Sequence, residues 1–326
     1  MEYIGKGHST GLVLRLLELP ASTFYHKPGI GVPGRPLSSR TLRLDGGTDP
    51  DDVVVNHILA LLGEDFVDYG YRKVTEWLRW RKGYVVNHKK VLRLMRENKL
   101  TLPSTASIGA SSGRRLITVK VPQPAGPRQW MEVDLKYVRV HGMHRNALVI
   151  SIIDVFSREW VAYRVAWNIR KEDFIRMVGE VLKDQPGGVQ LTIRSDNGSQ
   201  FIANDVIQYL EHMGVSHEFI HPATPEENAH IESFHSIMQR AMVRTREFES
   251  MESLKETLVR FRQFYNYERL HSATCFRPPM VFMELWKMGW IEEKFDKRKK
   301  RKFILSKERP LSPPFSERSG FSLQQC

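Results

Sequence analysis

Cysteine is nearly absent from this chain. Among 326 residues only Cys275 and Cys326 carry thiols. They are too few and too far apart for a disulfide framework or a zinc knuckle, so the chain reads as a reduced, intracellular protein. Long apolar runs are missing as well. No stretch approaches the ~20 residues that a membrane helix requires, and the opening MEYIGKGHSTG holds no apolar segment of signal-peptide type. A cytoplasmic location and no membrane partner are the expectation. No internal repeat is present. Acidic charge is in deficit, with 37 Asp and Glu against 49 Lys and Arg and a formal net charge of +12. Such an excess attracts phosphate backbones and releases counterions on binding, although any soluble protein with a basic surface shows the same sum. With 41% apolar residues the chain can build a core, which excludes a wholly disordered protein.

Residues 1–50 are expected to hold a short helical segment, paired over 9–26 with a break at Pro20, and then a linker rich in Gly, Pro and Ser from 27 onward. Residues 51–102 read as three helices. The first carries Val54, Ile58, Leu61 and Leu62 on one face, the second Val74, Trp77 and Leu78, and the third, capped by Asn87, carries Val91, Leu92 and Met95. On the other side of the third helix Lys89, Arg93 and Arg96 fall at i, i+4 and i+7, with Lys90 beside them. A small all-α unit with one basic helix fits a helix-turn-helix DNA-binding module. A bundle whose solvated face is basic is the other reading.

A second linker covers 103–127, and from 128 to 285 the pattern changes. WMEVDLKYVRV, ALVISIIDV and EWVAYRVA are rich in β-branched and aromatic residues and read as consecutive antiparallel strands. Shorter strands at Gln190–Arg194 and Ser216–Ile220 then alternate with helices, which predicts an α/β domain with a mixed five-stranded sheet flanked by helices. Residues 286–326 read as a basic tail, disordered from 306. Its run KRKKRK (297–302) is expected to be solvated and to add phosphate contacts.

Three acids stand where an acid is unexpected. Asp134 interrupts an apolar strand, Asp196 follows the strand LTIRS, and Glu232 lies within the helix that includes AHIESFHSIMQR. Ionised carboxylates in or beside a core are costly without a cation, and three that converge repel one another. Oxygen-only ligands select Mg²⁺ or Mn²⁺, and two such ions suit phosphoryl transfer without a covalent protein intermediate. Singly, each acid has a plainer role: an edge-strand residue facing water, a turn aspartate before Asn-Gly, an exposed helix residue. Their contexts and spacing together favour a metal site.

The strings around these acids carry a resemblance. WMEVDLKY (130–137), IIDVFSR (152–158), RSDNGSQF (194–201) and HPATPEENAHIESFH (221–235), with 35 residues between Asp196 and Glu232, resemble the DDE transposase and retroviral integrase superfamily. The similarity is greatest to the second reading-frame transposases of insertion-sequence family three, and YGYRKVTEWLRWRKGYVVNHKKVLRLMRENKL (69–100) is similar to their helix-turn-helix module. The resemblance implies an RNase H-like integrase core in which Asp134, Asp196 and Glu232 are catalytic and hold two Mg²⁺ ions, with Mn²⁺ able to substitute. It implies cleavage at element ends followed by attack of the freed 3′-hydroxyl on target DNA, and a circular DNA intermediate. It further implies a homo-oligomer on DNA, nucleoid-associated when bound, with a first-frame partner protein or a fusion. Many members carry Lys or Arg seven residues after the third acid. Here that position is Gln239, which leaves Arg240 or Arg244 to grip DNA.

Asn228, Glu232 and His235 share a helix face, and the first and last are candidate DNA contacts alongside Lys89, Lys90, Arg93, Arg96, Arg240 and Arg244. His235 also suits ordinary packing. Asn197 is expected to support the acids from behind, and Asp154 either to do the same or to be structural. Pro222, Thr224 and Pro225 suggest a stiff loop over the site. Two other functions stay open: a regulator of the same fold that binds DNA without chemistry, and an RNase H-type nuclease that cuts without joining.

Overall fold

The computed structural model describes residues 2–25, 37–101, 122–221, 224–296 and 301–306. Contacts divide the chain into two units, Met1–Ser39 and Arg40–Cys326. In the first, α1 (Glu2–Gly5), α2 (Thr10–Leu16) and α3 (Ala21–Phe24) are short, Pro20 precedes α3 as expected, and Val13 and Leu14 are its buried side chains.

The second unit opens on a hairpin where a linker was expected. Strands β1 (Arg40–Arg43) and β2 (Thr48–Pro50) pair antiparallel. Gly46, at a φ of 87°, turns the chain, and the Asp45 carboxylate accepts from the Gly47 N–H at 2.9 Å. Of the residues that suggested a linker, Gly46 and Gly47 form this tight turn, and 27–36 lie outside the described residues. Helices α4 (Asp51–Leu62), α5 (Tyr71–Arg81) and α6 (His88–Glu97) follow, and β3 (Tyr84–Val85) adds to β1. Val54, Ile58, Leu61, Val74, Leu78, Val91, Leu94 and Met95 form their shared core. Leu94 is buried where Leu92 was expected, because the third helix turns its i, i+3, i+4 stripe inward.

The main sheet has the order β6-β5-β4-β7-β8. Strands β4 (Trp130–Val140), β5 (Arg145–Asp154) and β6 (Trp160–Ala166) form the antiparallel meander. Helix α7 (Lys171–Lys183) crosses over to β7 (Thr192–Ser195), which pairs parallel to β4, and α8 (Ser199–Ile202) and α9 (Asn204–His212) lead to β8 (Ser216–Phe219). The period of two along β4 sorts its side chains. Met131 and Val133 join the cluster under α7 and α9. Val138 and Val140 join the opposite cluster, under α10 (Ala229–Ala241) and α11 (Met251–Gln263). Glu132 and Asp134 therefore lie on the α10 face. This is the mixed five-stranded sheet flanked by helices that the sequence predicts.

A buried seam joins the small helical unit to the sheet. Phe66 packs in the α10–α11 cluster, Leu270 packs among α4, α5 and α6, and the Leu270 N–H donates to Tyr69 Oη at 2.8 Å. Arg269, 1% exposed, pairs with Asp68 at 2.6 Å.

At and beyond the expected core end, α12 (Pro279–Lys287) and a hairpin of β9 (Ile291–Phe295) and β10 (Arg301–Leu305) pack on Phe156. The basic run is thereby corrected in part. Residues 297–300 and the expected disordered stretch from 307 lie outside the described residues. Arg301 is not solvated: it donates to the Pro124 carbonyl and stacks over Phe156 at 5.4 Å and Phe303 at 4.9 Å. Its guanidinium can be buried because aromatic faces attract it and Glu293 lies 3.5 Å away.

Candidate active site

Asp134 sits in the middle of the central strand, paired in register with Ser151 of β5. One of its oxygens accepts from the Leu135 N–H at 2.7 Å, and the other stands 3.3 Å from His235 Nδ1. Asp196 leaves the end of β7, where its carboxylate accepts from the Gly198 N–H at 3.0 Å. The turn role and the proximity to Asp134 therefore coexist. Glu232 lies in the first turn of α10, exposed, and its carboxylate has no hydrogen-bond partner among the described residues.

Electrostatics tie the three together. Burial raises the pKa of Asp196, and the charge of Asp134 raises it further against the Gly198 N–H. Burial raises Glu232 also, followed by the charges of Asp134 and Glu132, with His235 opposing. Asp134 is thus the acid whose field reaches both others, and like charges held this way favour a cation between them. The donor set is carboxylate oxygen only, which suits hard divalent ions. As the side chains stand, no group of three His, Cys, Asp or Glu among the described residues encloses an ion. The reorientable member is Glu232, exposed and unbonded. Asp134, Glu232, His235, Gln239, Arg240, Arg244 and Lys136 line an open cleft of about 690 Å³.

The expected neighbours of the acids each have definite partners. Asn228, 3% exposed, is corrected from a DNA contact to a strut: its amide donates to the Val133 carbonyl at 3.3 Å. His235 is 7% exposed and reaches Asp134 rather than solvent. Asp154 is fully buried and caps its own turn, accepting from Ser157 Oγ at 2.6 Å and from the Ser157 and Arg128 N–H groups. It supports the end of β5, the structural one of its two expected roles. Asn197 ties the Asp196 turn to β8 through the Ile220 carbonyl at 2.9 Å. Ser195 Oγ and His217 Nε2, 2.9 Å apart, fix the same strand end, and burial pulls His217 down to about 4, so its ring is neutral near pH 7. Of the expected loop, Pro222 and the side chain of Pro225 lie outside the described residues.

The basic face of α6 is also smaller than predicted. Lys90 pairs with Asp51 at 2.6 Å, and Arg93 with Asp51 at 2.9 Å and Glu97 at 3.1 Å. These two fasten α6 to the start of α4. Lys89 and Arg96 stay exposed. Arg240 donates to Ser236 Oγ at 2.6 Å and meets Asp68 at 3.4 Å, while Arg244 is exposed at the cleft.

Sequence reasoning missed Glu132. It is fully buried, and its carboxylate accepts from the His230 N–H at 3.0 Å, the Ile231 N–H at 2.8 Å and His230 Nδ1 at 2.7 Å. An acid two places before Asp134, on the same strand face, was the available signal.

Comparison with known proteins agrees with this arrangement. A model of an HTH-like domain matches residues 50–105, and two models of an integrase core domain match residues 124–225 and 213–279. The 39.2 kDa protein of insertion element IS476 from Xanthomonas euvesicatoria is 27% identical over 224 residues, 69% of this chain and 63% of that protein. The 31.7 kDa protein of insertion element IS407 from Burkholderia multivorans is 24% identical, covering 76% of this chain and 86% of its own. The transposase for insertion sequence element IS904 from Lactococcus lactis subsp. lactis is 24% identical, covering 71% and 93%. The chain spans less than two thirds of the first relative's length and most of the other two. The chain thus carries an HTH-like domain ahead of an integrase core domain, and its relatives include an insertion-sequence transposase.

Proposed function

We infer that this chain is a transposase that cleaves DNA strands at the ends of a mobile element and joins the freed 3′-hydroxyls to target DNA. The observation that carries the reading is the position of Asp134. It stands on the central strand, within electrostatic reach of both Asp196 and Glu232, at a cleft whose wall includes Lys136, Arg240 and Arg244. Asp134, Asp196 and Glu232 would hold divalent metal, Mg²⁺ or Mn²⁺, which supplies activation of the attacking water or 3′-hydroxyl and neutralises charge on the phosphate. Asp134 is fixed by its strand and Asp196 by the turn that follows β7. His235 orients Asp134 from the helix side, and the cleft arginines attract and align the phosphate backbone.

We assign residues 51–102, with the hairpin before them, to a DNA-binding module and 128–285 to the catalytic core. Multimerisation on DNA, a first-frame partner and a cytoplasmic, DNA-associated location are part of the same reading. Among the described residues no helix is long and apolar enough to cross a membrane.

Incubation of the full chain with labelled element-end DNA and Mg²⁺ is expected to give nicked ends and joined products. Nicking without joining would favour a nuclease, and binding without nicking in either Mg²⁺ or Mn²⁺ a regulator. In the module, Lys89→Ala with Arg96→Ala is expected to lower the salt slope of DNA binding by about 2, one for each phosphate that is no longer neutralised. Arg93→Ala should instead loosen α6 from α4 and leave the slope nearly unchanged, because Arg93 already serves Asp51 and Glu97. Equal slopes in all three proteins would remove α6 from the DNA interface.

A further inference from the structure

The distance between the first and third acids depends on how α10 meets β4. Glu232 sits in the first turn of that helix and Asp134 on that strand. Between these elements lies one buried, charged anchor. Glu132 points to the same sheet face as Asp134, two residues away, and takes the first N–H groups of α10 on one oxygen and the His230 ring on the other. The free N–H groups of a helix start carry partial positive charge, so a carboxylate there is held by charge-assisted bonds that are short and directional. Arg158, whose Nε and Nη1 are buried, feels the Glu132 charge and offsets it in part. Asn228 adds a second strut one residue before the helix, to the Val133 carbonyl between the two acids of β4.

We propose that Glu132 and His230 form a positioning pair that sets α10 on β4 and so places the Glu232 carboxylate over Asp134. The pair itself touches neither DNA nor metal. This rests on the proposed function, since it assigns the pair a role in assembling that site. A misplacement of about 1 Å is enough to cost about 10²-fold in rate, and residues that orient metal ligands change metal affinity by about 10- to 100-fold. Glutamine at 132 keeps the volume but removes the negative charge that makes these bonds charge-assisted, and so weakens the anchor.

The test compares the full-length wild type with Glu132→Gln and His230→Ala. His230→Ala removes the ring contact and leaves both backbone bonds, so it guards against a Glu132→Gln protein that does not fold. Three readouts are taken: end cleavage resolved into kcat and KM, Mn²⁺ binding to the DNA-free protein by electron paramagnetic resonance, and DNA affinity at fixed salt. For Glu132→Gln the expected result is a kcat about 10²-fold lower, Mn²⁺ binding at least about 10-fold weaker, and KM and DNA affinity within about twofold. His230→Ala should fall between it and wild type. Wild-type kcat and Mn²⁺ affinity in a folded Glu132→Gln, or in His230→Ala should the first not fold, would overturn the proposal. Losses in KM and DNA affinity equal to the loss in kcat would overturn it too, because a merely loosened fold behaves that way. A wild type that neither cuts nor binds Mn²⁺ would instead remove the proposed function, and the pair's role with it.

Discussion

Asp134→Asn is expected to lower strand cleavage in Mg²⁺ by about 10³-fold while leaving DNA affinity at fixed salt within about twofold. The amide keeps the acceptor that meets the Leu135 N–H, so the strand need not move. What disappears is the charge that bears on both Asp196 and Glu232. Stability should move the opposite way to activity. A carboxyl group whose folded pKa is raised binds more protons when folded, so it destabilises the protein once pH rises above the ordinary carboxylate range near 4. Without the Asp134 charge, Asp196 and Glu232 titrate closer to their ordinary values. Tm at pH 7 in the absence of divalent ions is therefore expected to hold or rise, and the difference from wild type should vanish as pH falls below the carboxylate range. Melting curves across pH, run beside the cleavage assay, check both halves. Retained cleavage, or a fall in Tm such as a core substitution causes, would take Asp134 out of the chemistry.

Asp68→Ala is expected to cost roughly 3–5 kcal/mol, because it strands the guanidinium of Arg269 in the seam between the helical unit and the sheet. The Arg269 side chain is 1% exposed and that of Asp68 15%, so little water is available to take over. Tyr69, whose hydroxyl receives the Leu270 N–H, stands next to the vacated position, and both halves of the seam should loosen together. Asp65 offers the control. It pairs with Arg246 and Arg260 at 2.8 and 3.1 Å but is 58% exposed, and Asp65→Ala should cost no more than about 1 kcal/mol. Denaturant melts of the two variants separate the cases. Equal costs would mean that the Arg269 pair is solvated in solution.

The antiparallel meander and the mixed five-stranded sheet were legible because the sequence states their strands locally, and the three candidate acids stood out for the same reason. An aspartate inside an apolar strand, an acid at a strand end and a glutamate on a helix stripe can each be seen within a dozen residues. Contacts made across the chain could not be seen that way. The four cations on or beside one side of α6 looked free because helical spacing says nothing of Asp51, which lies at the start of another helix and captures two of them. Glu132 looked like a second polar interruption of an apolar strand, since the N–H groups it serves lie 98 and 99 positions downstream. The 40–50 hairpin was hidden by its own turn chemistry. Arg301 was hidden by its basic neighbours, because only the fold brings Phe156 beneath it.

The long reach of these contacts has a consequence for the newly made protein. Tyr69 finds its partner at Leu270, 201 positions later, and β4 has no parallel neighbour until β7 has been synthesised. A nascent chain emerging from the ribosome therefore carries α4, α5 and α6 well before Leu270 arrives to complete their core. Pairings this distant in sequence form late and slowly. For that interval the small helical unit and the sheet both stand incomplete, and the residues of the seam finish the two together.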